Sequence, residues 1–332
     1  MKSYFTFNIG LGLADKFDYS QILGERCEIA AEKNIPGRGM IRNPAPVEFQ
    51  VALPVNASSE LFRETLVKEI AGIAETYGPA NILPIPSVPE RPDYNSFISD
   101  AQSRGMTDSG FIPLGYDMDE ANIISVDLSQ MYCYTICGQQ RTGKTNALKL
   151  IMQYCKKTDA KTYLFYDGSS QMAAFAEKIA VDRYIMGDDQ LYQFSKEILI
   201  PEFMLRGKED AQKRNYEPIF VFIHNLLSFA EAVYSEDYPM SSFFENIFRN
   251  GNALNIYFIG VMLVNAVNER IYPNALRNFF AWNSGILLGG KVIEQNIFDF
   301  DIPFTESSKK LPPGTGYTFA NYKTVKIKLP LV

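Results

Sequence analysis

Residues 137–149 read CGQQRTGKTNALK, and within them residues 138–145 complete the pattern G-x-x-x-x-G-K-T. In that pattern glycines permit a tight turn, so that backbone amides can wrap phosphate oxygens. It arises by chance in about one in a hundred chains of this length. The apolar stretch MYCYTIC (131–137) runs into it, and Leu148, Ile151, Met152 and Cys155 follow at helical spacing. Strand, glycine turn and helix is the context that phosphate binding requires, because a helix N-terminus adds partial positive charge to the cradle. Gly138, Gln139, Gln140, Arg141, Thr142 and Gly143 form the expected cradle. Lys144 is placed to meet β- and γ-phosphate oxygens, and the Thr145 hydroxyl is the expected Mg²⁺ ligand. A nucleotide with Mg²⁺ is therefore the expected ligand.

Phosphoryl transfer also needs a carboxylate for the metal and a group that activates water. In this fold the acids follow an apolar run on a later strand. IFVFI (219–223) is that strand, but it ends in His224, the chain's single histidine, and Asn225. Neither is a general base of the ordinary carboxylate kind, and losing such a base typically slows a reaction on the order of 10²- to 10⁴-fold. These two are the degenerate acid positions of the site, although a strand-end histidine can equally serve a backbone carbonyl. Asn265, closing IYFIGVMLV (256–264), is the candidate γ-phosphate sensor. Asp167, at the end of TYLFYD (162–167), is expected on a strand too far from the loop, where it would simply end the strand. Arg249, Arg270 and Arg277 are candidates for reaching a nucleotide across a subunit boundary, with a solvated helix face as the plainer reading.

Around the loop, strand and helix signals alternate, which points to an α/β fold with a mostly parallel sheet flanked by helices. A long helix is expected through residues 190–216, interrupted near Pro201, and another helical stretch reaches Arg249. Helix NALRNFF and strand GILLG come next, and residues 314–331 close the chain as a β-hairpin. The aromatic runs FFENIF (243–248) and NFFAW (278–282) read as core.

The chain is 332 residues long and 46% hydrophobic, enough for a sizeable core, yet no apolar run approaches the 18 or so residues of a membrane helix. The start, MKSYFTFNIG, lacks the long apolar stretch of a signal peptide. Lys plus Arg number 32 against 38 Asp plus Glu, a charge of -6, which argues against duplex DNA as the partner. Cys27, Cys133, Cys137 and Cys155 fit reduced buried thiols better than a disulfide framework.

An internal repeat links the two ends. FTFNIGLGL (5–13) matches FAWNSGILL (280–288), pairing Leu13 with Leu288; PGRG (36–39) matches PGTG (313–316), and LPV (53–55) matches LPL (329–331). Residues 1–56 are accordingly expected to be the C-terminal tail of a preceding module. Residues 57–95 would form a helix, capped by Ser58 or Ser59, and a Pro-rich connector, leaving 96–332 as the phosphate-loop domain.

IPLGYD (112–117), CGQQRTGKTNALK (137–149), FRNGNALNIYFIGV (248–261) and the PGRG and PGTG hairpins together resemble FtsK/SpoIIIE-type P-loop ATPases. The resemblance is to the C-terminal, third ATPase domain of the EssC/EccC coupling proteins of type VII secretion systems, and it covers the whole chain. It implies a RecA-like fold, tandem ATPase domains in one parent chain, a hexamer in the assembled motor, and small helical-hairpin secreted proteins as substrates. It also implies a soluble part of a membrane-anchored protein, on the cytoplasmic side of the bacterial membrane. His224 and Asn225 depart from the motor pattern, favouring ATP binding with weak or no hydrolysis. An FtsK-like DNA translocase and a nucleotide-independent interaction module are the competing readings.

Overall fold

The computed structural model describes residues 8–78, 87–107, 110–158, 160–165, 170–208, 216–251, 254–264 and 272–332. The chain divides into two compact units, Met1–Pro84 and Ile85–Val332.

In the first unit, strands β1 (Ile9–Leu11), β2 (Arg38–Arg42) and β3 (Pro46–Gln50) form an antiparallel sheet in that order, with helix α1 (Lys16–Leu23) between β1 and β2. Tyr19 and Leu23 of α1 pack with Cys27, Ala31 and Met40 in a small core. Helix α2 (Phe62–Tyr77) begins later than expected. Leu61 holds the capping position with no side-chain hydrogen bond, and the Ser58 carbonyl accepts from the Leu61 amide in the preceding turn. Neither Ser58 nor Ser59 caps it, because both lie a turn outside.

The second unit contains a ten-stranded sheet. Its elements are α3 (Tyr94–Ser103), β4 (Phe111–Asp117), β5 (Ile123–Asp127), β6 (Cys133–Gly138), α4 (Lys144–Lys157), β7 (Lys161–Phe165), α5 (Ala173–Lys178), β8 (Arg183–Ile185), α6 (Asp188–Phe194) and α7 (Ile200–Lys208). They continue with β9 (Ile219–Ile223), α8 (Leu226–Val233), α9 (Ser241–Asn250), β10 (Ile256–Leu263), α10 (Asn274–Phe280), β11 (Ser284–Gly290), α11 (Phe304–Ser307), β12 (Leu311–Ala320) and β13 (Lys323–Lys328). The sheet order is β5-β4-β13-β12-β11-β6-β10-β9-β7-β8. The run from β11 to β8 is parallel throughout, and the other half is antiparallel.

Alternation along the parallel strands builds two cores, one on each face. Cys133, Cys137, Val221, Ile223, Phe258 and Met262 join one with the aromatic residues of α8, α9 and α10, including Phe244, Phe248 and Phe279. Tyr134, Ile136, Phe220, Phe222, Ile259 and Val261 join the other with Leu148, Ile151, Met152 and Cys155 of α4. The four cysteines are buried and free.

Three departures have local causes. The irregularity expected near Pro201 takes the form of a π-helical turn, Ser195–Leu199, between α6 and α7; proline supplies no amide to continue the regular ladder. The helical stretch up to Arg249 divides into α8 and α9, and Pro239 lies in the break. In the repeat, Leu11 pairs with Gly39 just as Leu288 pairs with Gly316, so the alignment of Leu13 with Leu288 is two residues out. The glycines set the register: a Cβ on Gly39 would lie 2.3 Å from the Gly10 carbonyl oxygen, and one on Gly316 2.1 Å from that of Leu287. The closing hairpin is as expected, turning through Asn321 and Tyr322 with φ of 49° and 61°, the tight turn whose twist suits paired strands. Among the described residues, no helix is long and apolar enough to cross a membrane.

Candidate nucleotide site

Strand β6 lies between its parallel neighbours β11 and β10 and delivers the phosphate-loop sequence to the C-terminal edge of the sheet, where ligands of open α/β sheets bind. Gly138 is its last residue, and a Cβ there would stand 2.3 Å from the Leu288 carbonyl oxygen of β11. Gly143 precedes α4 with φ of 105°, a conformation that only glycine adopts without strain. Arg141 also has positive φ, at 60°, at the tip of the loop. The buried Thr142 hydroxyl donates to the Gln139 carbonyl at 2.8 Å.

Lys144 opens α4, and its ammonium donates to that same Gln139 carbonyl, so the charge folds back over the loop. Burial holds the Lys144 pKa below the ordinary lysine value. Gln140 and Arg141 are exposed. From outside the loop, Glu294 accepts from Gln139 Nε2 at 2.7 Å, and Gly314 donates to the Thr142 carbonyl at 2.9 Å.

Beside the loop lies a cavity of about 230 Å³ lined by Lys144, Thr145, His224, Asn225, Leu227, Val261, Met262 and Leu263. Strand register explains the grouping. Leu263 of β10 pairs with Gly138, and Gly260 of β10 pairs with Ile223, the residue before His224. Lys144, Thr145, His224 and Asn225 are thereby brought to one cavity from two strand ends. The His224 amide donates to the Phe165 carbonyl of β7 at 3.1 Å. Asn225 caps α8, its Oδ1 accepting from the amides of Leu227 at 3.0 Å and Ser228 at 3.3 Å.

Strand β7 sits beyond β10 and β9 from β6. Asp167, Asn265 and Arg270 lie outside the described residues. Arg249 is exposed at the end of α9, and Arg277 is exposed on α10, donating through Nε to the Tyr272 carbonyl at 2.9 Å. The contacts of Glu294 and Gly314 with the loop have no sequence signal, since they join residues more than 150 positions apart. The cap at Asn225 does have one: an asparagine immediately ahead of LLSFAEAV is a helix start.

The fit to a Mg²⁺-nucleotide rests on the loop. A glycine-shaped cradle, a lysine whose burial disfavours its isolated charge, and a threonine hydroxyl meet beside one cavity. An anionic ligand would compensate that lysine and accept from the loop amides.

No family model matches the chain. The ESX secretion system protein EccC of Geobacillus thermodenitrificans is 25% identical over 311 residues, 90% of this chain and 20% of that protein. This chain therefore spans about a fifth of its relative. A solved structure of EssC ATPases 2 and 3 from Geobacillus thermodenitrificans superposes with a TM-score of 0.72 at 23% identity, covering 96% of this chain and 59% of that one. Thermomonospora curvata EccC (ATPases 2 and 3), solved in complex with a signal sequence peptide, gives 0.60 at 18% identity, over 98% and 58%. The pCW3 conjugation coupling protein TcpA, solved with ATPγS, gives 0.55 at 15% identity, over 90% and 87%. By sequence along nine-tenths of its length, and by fold, the chain is homologous to the ATPase domains of the EccC/EssC proteins of type VII secretion systems.

Proposed function

We propose that this chain is an ATP-binding domain of a type VII secretion motor that binds ATP with Mg²⁺ at residues 138–145 and hydrolyses it weakly or not at all. One observation carries the reading: Lys144 and Thr145 line the same cavity as His224 and Asn225, where acids would be needed for turnover. Bound Mg²⁺-ATP would supply a polarised γ-phosphate. For their part, the loop amides, Lys144 and Thr145 would bind and orient it. Asn225, its oxygen already accepting two amides, is poorly disposed to take a proton from water.

On this reading residues 1–56 are the end of a preceding ATPase module, 57–95 a helix and connector, and 96–332 the domain itself. The parent chain would carry further ATPase domains, be anchored at the cytoplasmic face of the bacterial membrane and assemble as a hexamer. The signal peptide bound to the Thermomonospora curvata relative supports a role in recognising small helical secreted proteins. Asn265 remains the candidate sensor. The formal charge of -6 disfavours the DNA-translocase reading.

Melting the protein in increasing ATP and Mg²⁺ tests the claim. The melting temperature should rise with ligand, as it must for anything that binds only the folded state. No rise at millimolar ATP removes the nucleotide reading and favours a pure interaction module.

A further inference from the structure

A strap of extended chain at residues 329–332 joins the phosphate-loop helix to a distant segment. Leaving β13, Leu329 donates its amide to the Gly314 carbonyl at 2.8 Å, and the Gly314 amide is the one that donates to Thr142 of the loop. Asn146 stands directly after Lys144 and Thr145. Its Nδ2 donates to the Pro330 carbonyl at 2.7 Å, and its Oδ1 accepts from the Val332 amide at 3.0 Å. Leu331, between them, turns its polar groups the other way. Its amide donates to the Pro92 carbonyl at 2.8 Å, and its carbonyl accepts from the Tyr94 amide at 2.9 Å.

The alternation is that of a strand hydrogen-bonded on both edges. One edge pairs with residues 92–94, through the bridge between Asp93 and Leu331. The other edge is completed by a carboxamide, which offers one donor and one acceptor like a peptide unit. Segment 92–94 is also where α3 begins, with Asp93 accepting from the amides of Asn95 and Ser96 at 3.1 Å each. The strap thus connects the first turn of α4 to the cap of α3. Phosphate chemistry does not require asparagine after the loop threonine, and both polar groups of Asn146 are engaged by the strap.

We infer that Asn146 is a positioning residue that couples ligand occupancy of the phosphate loop to the order of residues 92–94 through the strap. The coupling half rests on the nucleotide reading above, and it must run both ways.

The test is Asn146→Ala in the full chain, read by amide hydrogen exchange and by calorimetric titration with Mg²⁺-ATP. Without nucleotide, the Leu331 and Tyr94 amides should exchange several-fold faster in the variant, while amides of β9 and β10 keep wild-type rates. With nucleotide, affinity should fall by the coupling factor, about fivefold or more. Saturating ATP should slow exchange at Leu331 and Tyr94 in the wild type but not in the variant. Asn146→Leu, of similar shape but with neither donor nor acceptor and no added charge, should behave as alanine does and serves if the alanine variant is unstable. Unchanged exchange at Leu331 overturns the strap. Unchanged affinity overturns the coupling. A wild type that takes no ATP ends the coupling together with the nucleotide reading, while the ligand-free exchange still decides the strap.

Discussion

Strands β6 and β9 lie one strand apart, run the same way and end in a turn followed by a helix, yet their ends differ in kind. At β6 the turn is shaped by glycine, and the first helical residues carry a cation and a hydroxyl into the cavity. At β9 all five strand residues are buried, and the turn holds a histidine and an asparagine that caps α8. Packing explains the strand and capping explains Asn225 at the β9 end, whereas neither explains the glycine turn and lysine of the β6 end. On the proposed reading, the fold keeps this strand for its core while the acids of turnover are missing from its end.

Restoring acids is the strongest way to break this contrast. His224→Asp with Asn225→Glu should raise ATP turnover, by on the order of 10²-fold if these positions alone limit it. Asn225→Glu also removes the α8 cap, so His224→Asp with Asn225→Asp is the better folded companion, because aspartate caps as well as asparagine. Phosphate release at saturating Mg²⁺-ATP measures both. Turnover that stays at the wild-type level while ATP still binds would mean that more of the site than these two positions has gone.

At the β6 end the corresponding change is Lys144→Ala. ATP at a hundredfold excess over its dissociation constant should stabilise the wild type by about 2.7 kcal/mol, and most of that increment should vanish in the variant. Equal ATP-dependent shifts in both proteins would erase the distinction between the two strand ends. A smaller effect tests the structural account of β9. Asn225→Ala should cost about 1 kcal/mol in urea unfolding, and Asn225→Asp close to nothing. A costless alanine would show that the cap is dispensable and reopen a role in the cavity for Asn225.

What can be read from the sequence follows the range of each interaction. Strand β6, its loop and α4 are adjacent in the chain, and their signals are periodicity and glycine placement. The place of β7 beyond β9 follows from the strand-order logic of the fold. The helix start at Phe62 is misplaced by sequence because two serines offer a cap that the backbone does not use. The two-residue slip at Leu13 arises because similarity of residue types is weaker than the steric demand of Gly39. Glu294 on Gln139, Gly314 on Thr142 and the strap on Asn146 depend on tertiary folding, and nothing local announces them.

The smallest predicted effect concerns protons. Burial lowers the Lys144 pKa, so within the interval between that lowered value and the value of an exposed lysine the folded protein loses a proton that the unfolded chain keeps. Below the interval Lys144 is charged in both states, and the burial penalty is felt in full. As pH rises through it the penalty is relieved, so the ligand-free protein should gain stability relative to a Lys144→Ala control. ATP affinity should move in the opposite direction, because the neutral amine no longer attracts phosphate, with a slope no steeper than about tenfold per pH unit for one proton. Binding in that interval should take up a proton, which titrations in buffers of different ionisation enthalpy would register. Parallel slopes of stability and affinity, or slopes that survive in Lys144→Ala, would mean that the buried charge at the end of β6 is not the group that meets the nucleotide.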